Sequence, residues 1–167
     1  MEDLDRKTAG THSPIHPVII ILDDVRSMHN VGSAFRTCDA FAAAAIYLCG
    51  YTPVPPHRDI HKTALGATET VPWQHFATTT AAIQAAKEQG YQIFAVEQAH
   101  GSVLLPELSW DLKQPAALVF GNEVSGVSDA ALALSDKVIE IPQWGTKHSL
   151  NISVSLGVVL WEMVRKA

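Results

Sequence analysis

The sequence predicts an α/β domain built on a mainly parallel sheet with helices on both faces, and three observations carry that expectation. Short continuous apolar runs such as residues 17–22 (PVIIIL) have the pattern of strands buried on both sides. Segments between them repeat apolar residues at helical spacing, as Val31, Ala34, Phe35, Cys38 and Phe41 do across residues 30–42. The two kinds of segment alternate along the chain, as strands joined by crossover helices must.

Taken in order, residues 1–16 read as a loose polar arm that ends at Pro14 and Pro17, and residues 17–167 as one domain. The strand at 17–22 leads into the helix at 30–42, for which Asn30 is a good N-cap. A second strand, 45–48, stops at Gly50. The stretch after it carries Pro53, Pro55 and Pro56, so it is a loop before any helix near 62–65. Residues 79–89 are alanine-rich and helical and end at Gly90, as a helix C-terminus does. A strand at 91–96, a long loop to about Lys113, a strand at 116–120, a glycine-containing turn, a short helix after Ser128 and a strand at 138–141 follow. The final helix runs from about Ser149, a candidate cap, to Lys166. Ligands in such sheets bind beyond the carboxyl ends of the strands. The loops expected to carry chemistry are therefore 23–30, 97–101, 121–127 and 142–149.

Composition narrows the function. A chain of 167 residues with 47% hydrophobic and 17% charged residues is long enough to bury a substantial core. It has no apolar run of the ~18–20 residues needed to span a bilayer. The polar N-terminus lacks the apolar middle of a secretory signal, which makes a cytoplasmic location the expectation. Cys38 and Cys49 sit in apolar surroundings without metal-ligand spacing and read as small core residues. The net charge of −5 argues against non-specific coating of nucleic acid. It still permits a local basic face, for which Arg26, His29, Arg36, His57, Arg58, His61 and Lys62 are the candidates. A scatter of solvated charges explains the same residues. The last helix has two apolar stripes, Leu150, Val154, Gly157, Val158 and Trp161 on one and Ile152, Leu156, Val159, Leu160 and Met163 on the other. One is expected on the sheet, and a homodimer partner is the natural cover for the second.

Three strand-to-loop junctions combine glycines with polar residues. Each has a bland explanation when taken alone: Arg36 as a surface arginine pairing with Asp39, Gly121 and Gly126 as a tight turn, and Asn151 as a partner for free helix-start groups. The Gly121–Gly126 segment lacks the Lys-Ser/Thr of a phosphate loop and the spacing of a dinucleotide fingerprint, which disfavours an ordinary nucleotide-binding domain. Together, however, Asn30-x-Gly32-x-x-x-Arg36, then Gly121-x-Glu123-x-x-Gly126, then Ile141-Pro142-x-x-Gly145-x-x-x-Ser149-Leu150-Asn151-x-Ser153-Val154 resemble the three motifs of the SpoU/TrmH methyltransferases of the SPOUT superfamily, in order and separation. The segment Lys62-Thr63-Ala64-Leu65-Gly66-Ala67 is also similar to one in small members. The resemblance covers the chain from Pro17 to its end.

That resemblance implies a C-terminal trefoil knot, a homodimer through the C-terminal helix, and transfer of a methyl group from S-adenosylmethionine to a ribose 2′-hydroxyl of tRNA or rRNA, with no metal. It implies cofactor contacts at Gly121, Ile141 and Leu150, with Asn122, Ser149 and Glu97 nearby. Arg36 becomes the catalytic residue, with Asn30 positioning it or the ribose, and Ser149 either assisting there or lining the cofactor pocket. Glu123, Gly126, Gly145 and Asn151 would build the motif structure, and Arg26, Arg58 and Lys62 would meet RNA. A guanidinium is a poor base. Arg36 therefore either loses its proton in an environment reshaped by substrate, or orients the hydroxyl and stabilises the developing alkoxide. Gln143, where the family often has Met, and Trp144 depart from the pattern. The chain leaves almost no room for a separate RNA-recognition domain. The rival reading is a non-catalytic RNA- or cofactor-binding knotted protein, which would have no need of an arginine at position 36.

Overall fold

The computed structural model describes residues 16–111 and 113–166. His16 already belongs to the first strand, and the rest of the expected arm lies outside the described residues. Seven strands form one sheet: β1 (His16–Asp23), β2 (Ala43–Cys49), β3 (Trp73–Phe76), β4 (Gln92–Val96), β5 (Val103–Leu104), β6 (Ala116–Phe120) and β7 (Lys137–Glu140). Their order is β3-β2-β1-β6-β4-β7-β5, and every pairing is parallel. The helices are α1 (Met28–Ala40), α2 (Arg58–Ala64), α3 (Ala67–Thr70), α4 (Thr79–Glu88), α5 (Asp129–Leu134) and α6 (Ile152–Arg165).

Alternation of side chains along β1 shows why both faces must be covered. Val18, Ile20 and Leu22 join Val31, Phe35, Ile60, Leu156 and Leu160 in one core, so α1, α2 and α6 lie on that face. Ile19 and Ile21 join Ile83, Ala86 and Ala131 in a second core, under α4 and α5. Burying each large aliphatic side chain of this kind stabilises the fold by ~1.5–3 kcal/mol. Cys38 and Cys49 belong to opposite cores and are both free, which rules out a bond between them in this fold. Burial pushes the Cys49 thiol up to about 12 and the Cys38 thiol further still, so neither forms a thiolate near neutral pH.

The sequence-derived boundaries hold within a few residues, with informative exceptions. α1 is capped by Ser27, whose side chain accepts from the Asn30 N–H at 3.2 Å, rather than by Asn30. α6 starts at Ile152 and is capped by Asn151, which accepts from the Ser153 N–H at 2.9 Å, rather than by Ser149. Ile141 falls just beyond β7. The edge strand β3 and the two-residue β5 were not expected. β3 is WQHF and largely exposed, so it carries no burial pattern to read.

Register gathers the carboxyl ends of the strands along one edge. Leu22 pairs with Leu48 and with Phe120, Phe120 with Val96, and Val96 with Ile139. The loops after β1, β2, β4, β6 and β7 therefore emerge side by side. Among the described residues no helix is long and apolar enough to cross a membrane.

Candidate active site

A cleft of about 550 Å³ opens at that edge, lined by residues 96–98, 120–126 and parts of 141–155. Its volume lies in the range of small-molecule sites. Three of the four loops singled out by the sequence form its walls. The fourth, after β1, supports it from behind.

The segment after β6 is the central wall. Gly121 through Gly126 fold into a tight loop closed by Asn122 N–H to Gly126 O at 3.0 Å and Gly126 N–H to Asn122 O at 2.9 Å. The Asn122 side chain stiffens it, accepting from the N–H groups of Val124 (2.9 Å) and Ser125 (3.1 Å) and donating to the Asp24 carbonyl at 2.7 Å. Both glycines are obligatory here. A Cβ on Gly121 would lie 2.1 Å from the backbone of Gly126 and Val127, and Gly126 has φ +71° with the Glu97 carboxylate 2.2 Å from where its Cβ would stand. Glu97 itself ties the β4 loop to this wall, accepting from Val127 N–H at 2.9 Å and from Gln98 N–H at 2.9 Å. Gly145 has open space around the same position and no such requirement.

Glu123 joins the three distant segments. Its carboxylate accepts from the N–H groups of Arg26 (3.1 Å) and Ser27 (3.0 Å) and from Asn30 Nδ2 (3.2 Å). Asn30 Oδ1 in turn accepts from Asn151 Nδ2 at 3.3 Å. Because Ser27 caps α1, the Asn30 side chain is free for this bridge. Burial pushes the Glu123 carboxyl upward, but donation from the backbone N–H groups of Ser27, Glu123 and Arg26 and from Asn30 outweighs it and holds the group below its ordinary range. A group depressed in the folded state stabilises the fold above its ordinary value of 4.5 and loses that contribution as pH falls through the lower folded value. Acid unfolding followed by circular dichroism should therefore show a component below pH 4.5 in the wild type that Glu123→Gln lacks. Superimposable acid limbs would contradict the network's role.

The expected site residues divide cleanly. Gly121, Asn122, Glu97, Ile141, Leu150 and Ser149 all line the cleft, as do Glu123, Gly126 and Asn151. Asn30 stands behind it through Glu123 and Asn151. Arg36 is not among the lining residues. It is exposed on the outer side of α1 and has no ion pair among the described residues, where Asp39 instead accepts from Thr70 Oγ1 at 2.9 Å. Arg26, Arg58 and Lys62 are also exposed and outside the cleft. Arg26 lies over the Tyr51 ring, and Arg58 and Lys62 lie 3.6 and 3.4 Å from Asp59. Sequence reasoning did not single out Gln98, Ser125 and Ser155 as lining residues. Polar residues beside motif glycines were the available signal for Ser125. Trp144 does not line the cleft and is 91% exposed.

A model of the SpoU rRNA Methylase family matches residues 17–161. The chain belongs to this family. The SpoU domain is 33% identical over 150 residues to a Neisseria meningitidis protein named 23S rRNA (guanosine-2′-O-)-methyltransferase RlmB, covering 90% of this chain and 59% of that one. It is 33% identical over 153 residues to the Aquifex aeolicus tRNA (guanosine(18)-2′-O)-methyltransferase, covering 89% and 69%. Among solved structures, an AdoMet-bound rRNA methyltransferase from Sinorhizobium meliloti superposes with a TM-score of 0.83 at 30% identity, covering 94% of this chain and 60% of that one. The chain thus spans 59% of the Neisseria relative's length and 64% of that of a similar protein from Ralstonia nicotianae. The seven-stranded parallel sheet is the one expected of a SpoU domain, and the C-terminal knot is what membership of the family implies.

Proposed function

We propose that this SpoU domain transfers a methyl group from S-adenosylmethionine to a ribose 2′-hydroxyl of RNA. The observation that carries the reading is the Glu123–Asn30–Asn151 bridge, which joins all three family motifs around one cleft of ligand size. The relatives named for ribose methylation of ribosomal and transfer RNA support the chemistry.

The cleft suits the cofactor. Val96, Phe120, Ile141, Leu150 and Ile152 offer apolar walls for an adenine, and Gln98, Asn122, Ser125 and Ser149 offer polar groups for its ribose and amino-acid ends. The close backbone at Gly121 and Gly126 leaves main-chain groups, rather than side chains, at the wall. When bound, the cofactor supplies an electrophilic methyl on a positively charged sulfur, chemistry that needs no Lewis acid. The chain's own residues then have three tasks. The cleft holds the cofactor, the Asn30 bridge fixes the β1–α1 loop against the wall, and Arg36 orients the hydroxyl and stabilises the developing alkoxide while the hydroxyl proton passes to solvent water. Alignment of attacking oxygen, carbon and leaving sulfur, with reacting atoms ~3–3.5 Å apart, supplies most of the acceleration.

Arg36 works across a homodimer in this reading. The stripe that begins at Leu150 in the cleft continues through Val154, Val158 and Trp161, and the last is 58% exposed. Phe41, the C-cap of α1, meets Trp161 with ring centroids 6.4 Å apart, and Asn30 meets Asn151. α1 and α6 therefore run side by side, while Arg36 stands exposed on another face of α1. In this reading a second copy covering the stripe lies beside the cleft mouth, where Leu150 begins the stripe, and brings its own Arg36 there. Val154→Asp combined with Val158→Asp is expected to convert a dimeric mass, measured by light scattering, to a monomeric one with loss of transfer. A monomeric wild type at micromolar concentration would contradict this arrangement.

A cytoplasmic location fits an RNA substrate. Transfer of labelled methyl to tRNA and, separately, to rRNA from a strain lacking this protein tests the function and names the RNA class. Measurable cofactor binding without transfer to either pool would favour a binding role.

A further inference from the structure

Outside the cleft, the loop after β2 presents an aromatic ring on a rigid mount. Tyr51 is 78% exposed, yet the backbone around it is fixed from several directions. Its N–H donates to Asp24 Oδ1 at 2.7 Å, and Gly50 donates to the Phe76 carbonyl at 3.0 Å while its own carbonyl accepts from His75 Nε2 at 3.0 Å. The next residue, Thr52, is buried, accepts from Val25 N–H at 3.0 Å and donates to the Leu22 carbonyl at 3.3 Å. Gly50 (φ +61°) is required because a Cβ there would stand 2.4 Å from the Asp24 carboxylate. Asp24 itself holds a left-handed φ of 54°, a conformation uncommon for a residue with a side chain, and its carbonyl is gripped by Asn122 of the cleft wall.

The ring also has a cation. The Arg26 guanidinium lies 5.0 Å from its centroid, within cation–π range, and the Arg26 N–H is held by Glu123 of the cleft. A loop tyrosine left for solvent needs none of this. Its mount is shared with the cleft wall through Asn122 and Glu123, and with the guanidinium in place the residue is still 78% exposed.

We propose that Tyr51, backed by Arg26, is a stacking platform for an unpaired RNA base beside the methylated nucleotide, with Arg26 also meeting phosphate. This inference rests on the methyltransferase reading for the identity of the ligand as RNA. Stacking is tolerant of base identity, so the platform grips a nucleotide without choosing it.

The test is fluorescence anisotropy with fluorescein-labelled oligoadenylate, together with methyl transfer to whichever RNA pool the wild type modifies. Tyr51→Ala is expected to weaken RNA binding by roughly 5- to 150-fold, with the loss falling on KM for RNA more than on kcat. S-adenosylmethionine affinity, measured by calorimetry, should stay within about twofold, a change worth only ~0.4 kcal/mol. Tyr51→Trp should restore RNA binding and Tyr51→Leu should not, which separates stacking from loop packing. Arg26→Ala should weaken binding and reduce its salt dependence by about one counterion. Equal RNA affinity for wild type and Tyr51→Ala would overturn the proposal, as would rescue by leucine or a parallel loss of cofactor affinity. A wild type that binds RNA through Tyr51 but transfers no methyl would support the platform and sink the methyltransferase reading instead.

Discussion

Arg36→Ala is expected to lower turnover by roughly 10²–10³-fold, the usual effect of removing a donor that stabilises charge in a transition state. Cofactor binding should persist, because Arg36 does not line the cleft and makes no ion pair with any described residue that its loss would release. The two effects together distinguish a group acting on the hydroxyl from one that merely braces the fold. Lysine at position 36 keeps the charge but lacks the planar fork of donors, so it should recover only a small part of the rate. The assay is single-turnover transfer at saturating cofactor, with calorimetry on the same preparations. Near-normal transfer by the alanine variant would remove Arg36 from the mechanism. Equal loss of transfer and of cofactor affinity would make it a structural residue.

Gly121→Ala should weaken cofactor binding by at least ~10-fold. The added Cβ would stand 2.1 Å from backbone atoms of Gly126 and Val127, and backbone cannot swing aside as a flexible side chain can. The loop must open, which breaks the paired hydrogen bonds between Asn122 and Gly126 and displaces the main-chain groups of the cleft wall. Overpacking of this kind costs about 1–3 kcal/mol of stability. If most of that strain is relieved only by moving the wall, S-adenosylmethionine affinity falls by at least ~10-fold. Gly145→Ala is the control, since nothing lies within 4 Å of its Cβ position, and it should bind cofactor normally. Equal affinities for the two variants would show that the close approach at Gly121 is irrelevant to the ligand.

Much of the fold was legible because burial leaves a pattern. The β6 segment Ala116–Phe120 is legible to the residue, because it is wholly buried between two helix layers. The two stripes of α6 were read as well, and the structure buries Leu156, Val159, Leu160 and Met163 while exposing Val154, Val158 and Trp161. Illegible elements are those without such a pattern. β3 is recruited at the sheet edge by pairing with β2, not by its own composition. Caps are hard to choose from sequence because Ser27 and Asn30 compete at α1 and Ser149 and Asn151 at α6; Asn30 and Ser149 are not the caps, while Asn151 does satisfy a free helix-start group. Geometry decided among them, and it left the Asn30 side chain free for the bridge to Glu123.

The candidate site shows the same division. Glycines whose absence of a side chain is structurally enforced, Gly121 and Gly126, marked the cleft wall in the sequence. The Asp24–Tyr51–Arg26 arrangement did not, because it depends on contacts between residues 27 positions apart across two parallel strands. The basic residues fared in between. Arg26, Arg58 and Lys62 are all exposed, but Asp59 offsets part of the charge on α2. Exposed ion pairs of this sort contribute little to stability, so Asp59 bears mainly on the local field that RNA would meet.

Alkaline hydrolysis of RNA labelled by the wild-type protein reveals which atom receives the methyl group. A methyl on the ribose 2′-oxygen removes the internal nucleophile that alkali needs, so the neighbouring linkage survives. Label is expected in alkali-stable dinucleotides, and is expected to be absent when Arg36→Ala replaces the wild type. Label recovered only in mononucleotides would place the methyl on a base and contradict transfer to the ribose.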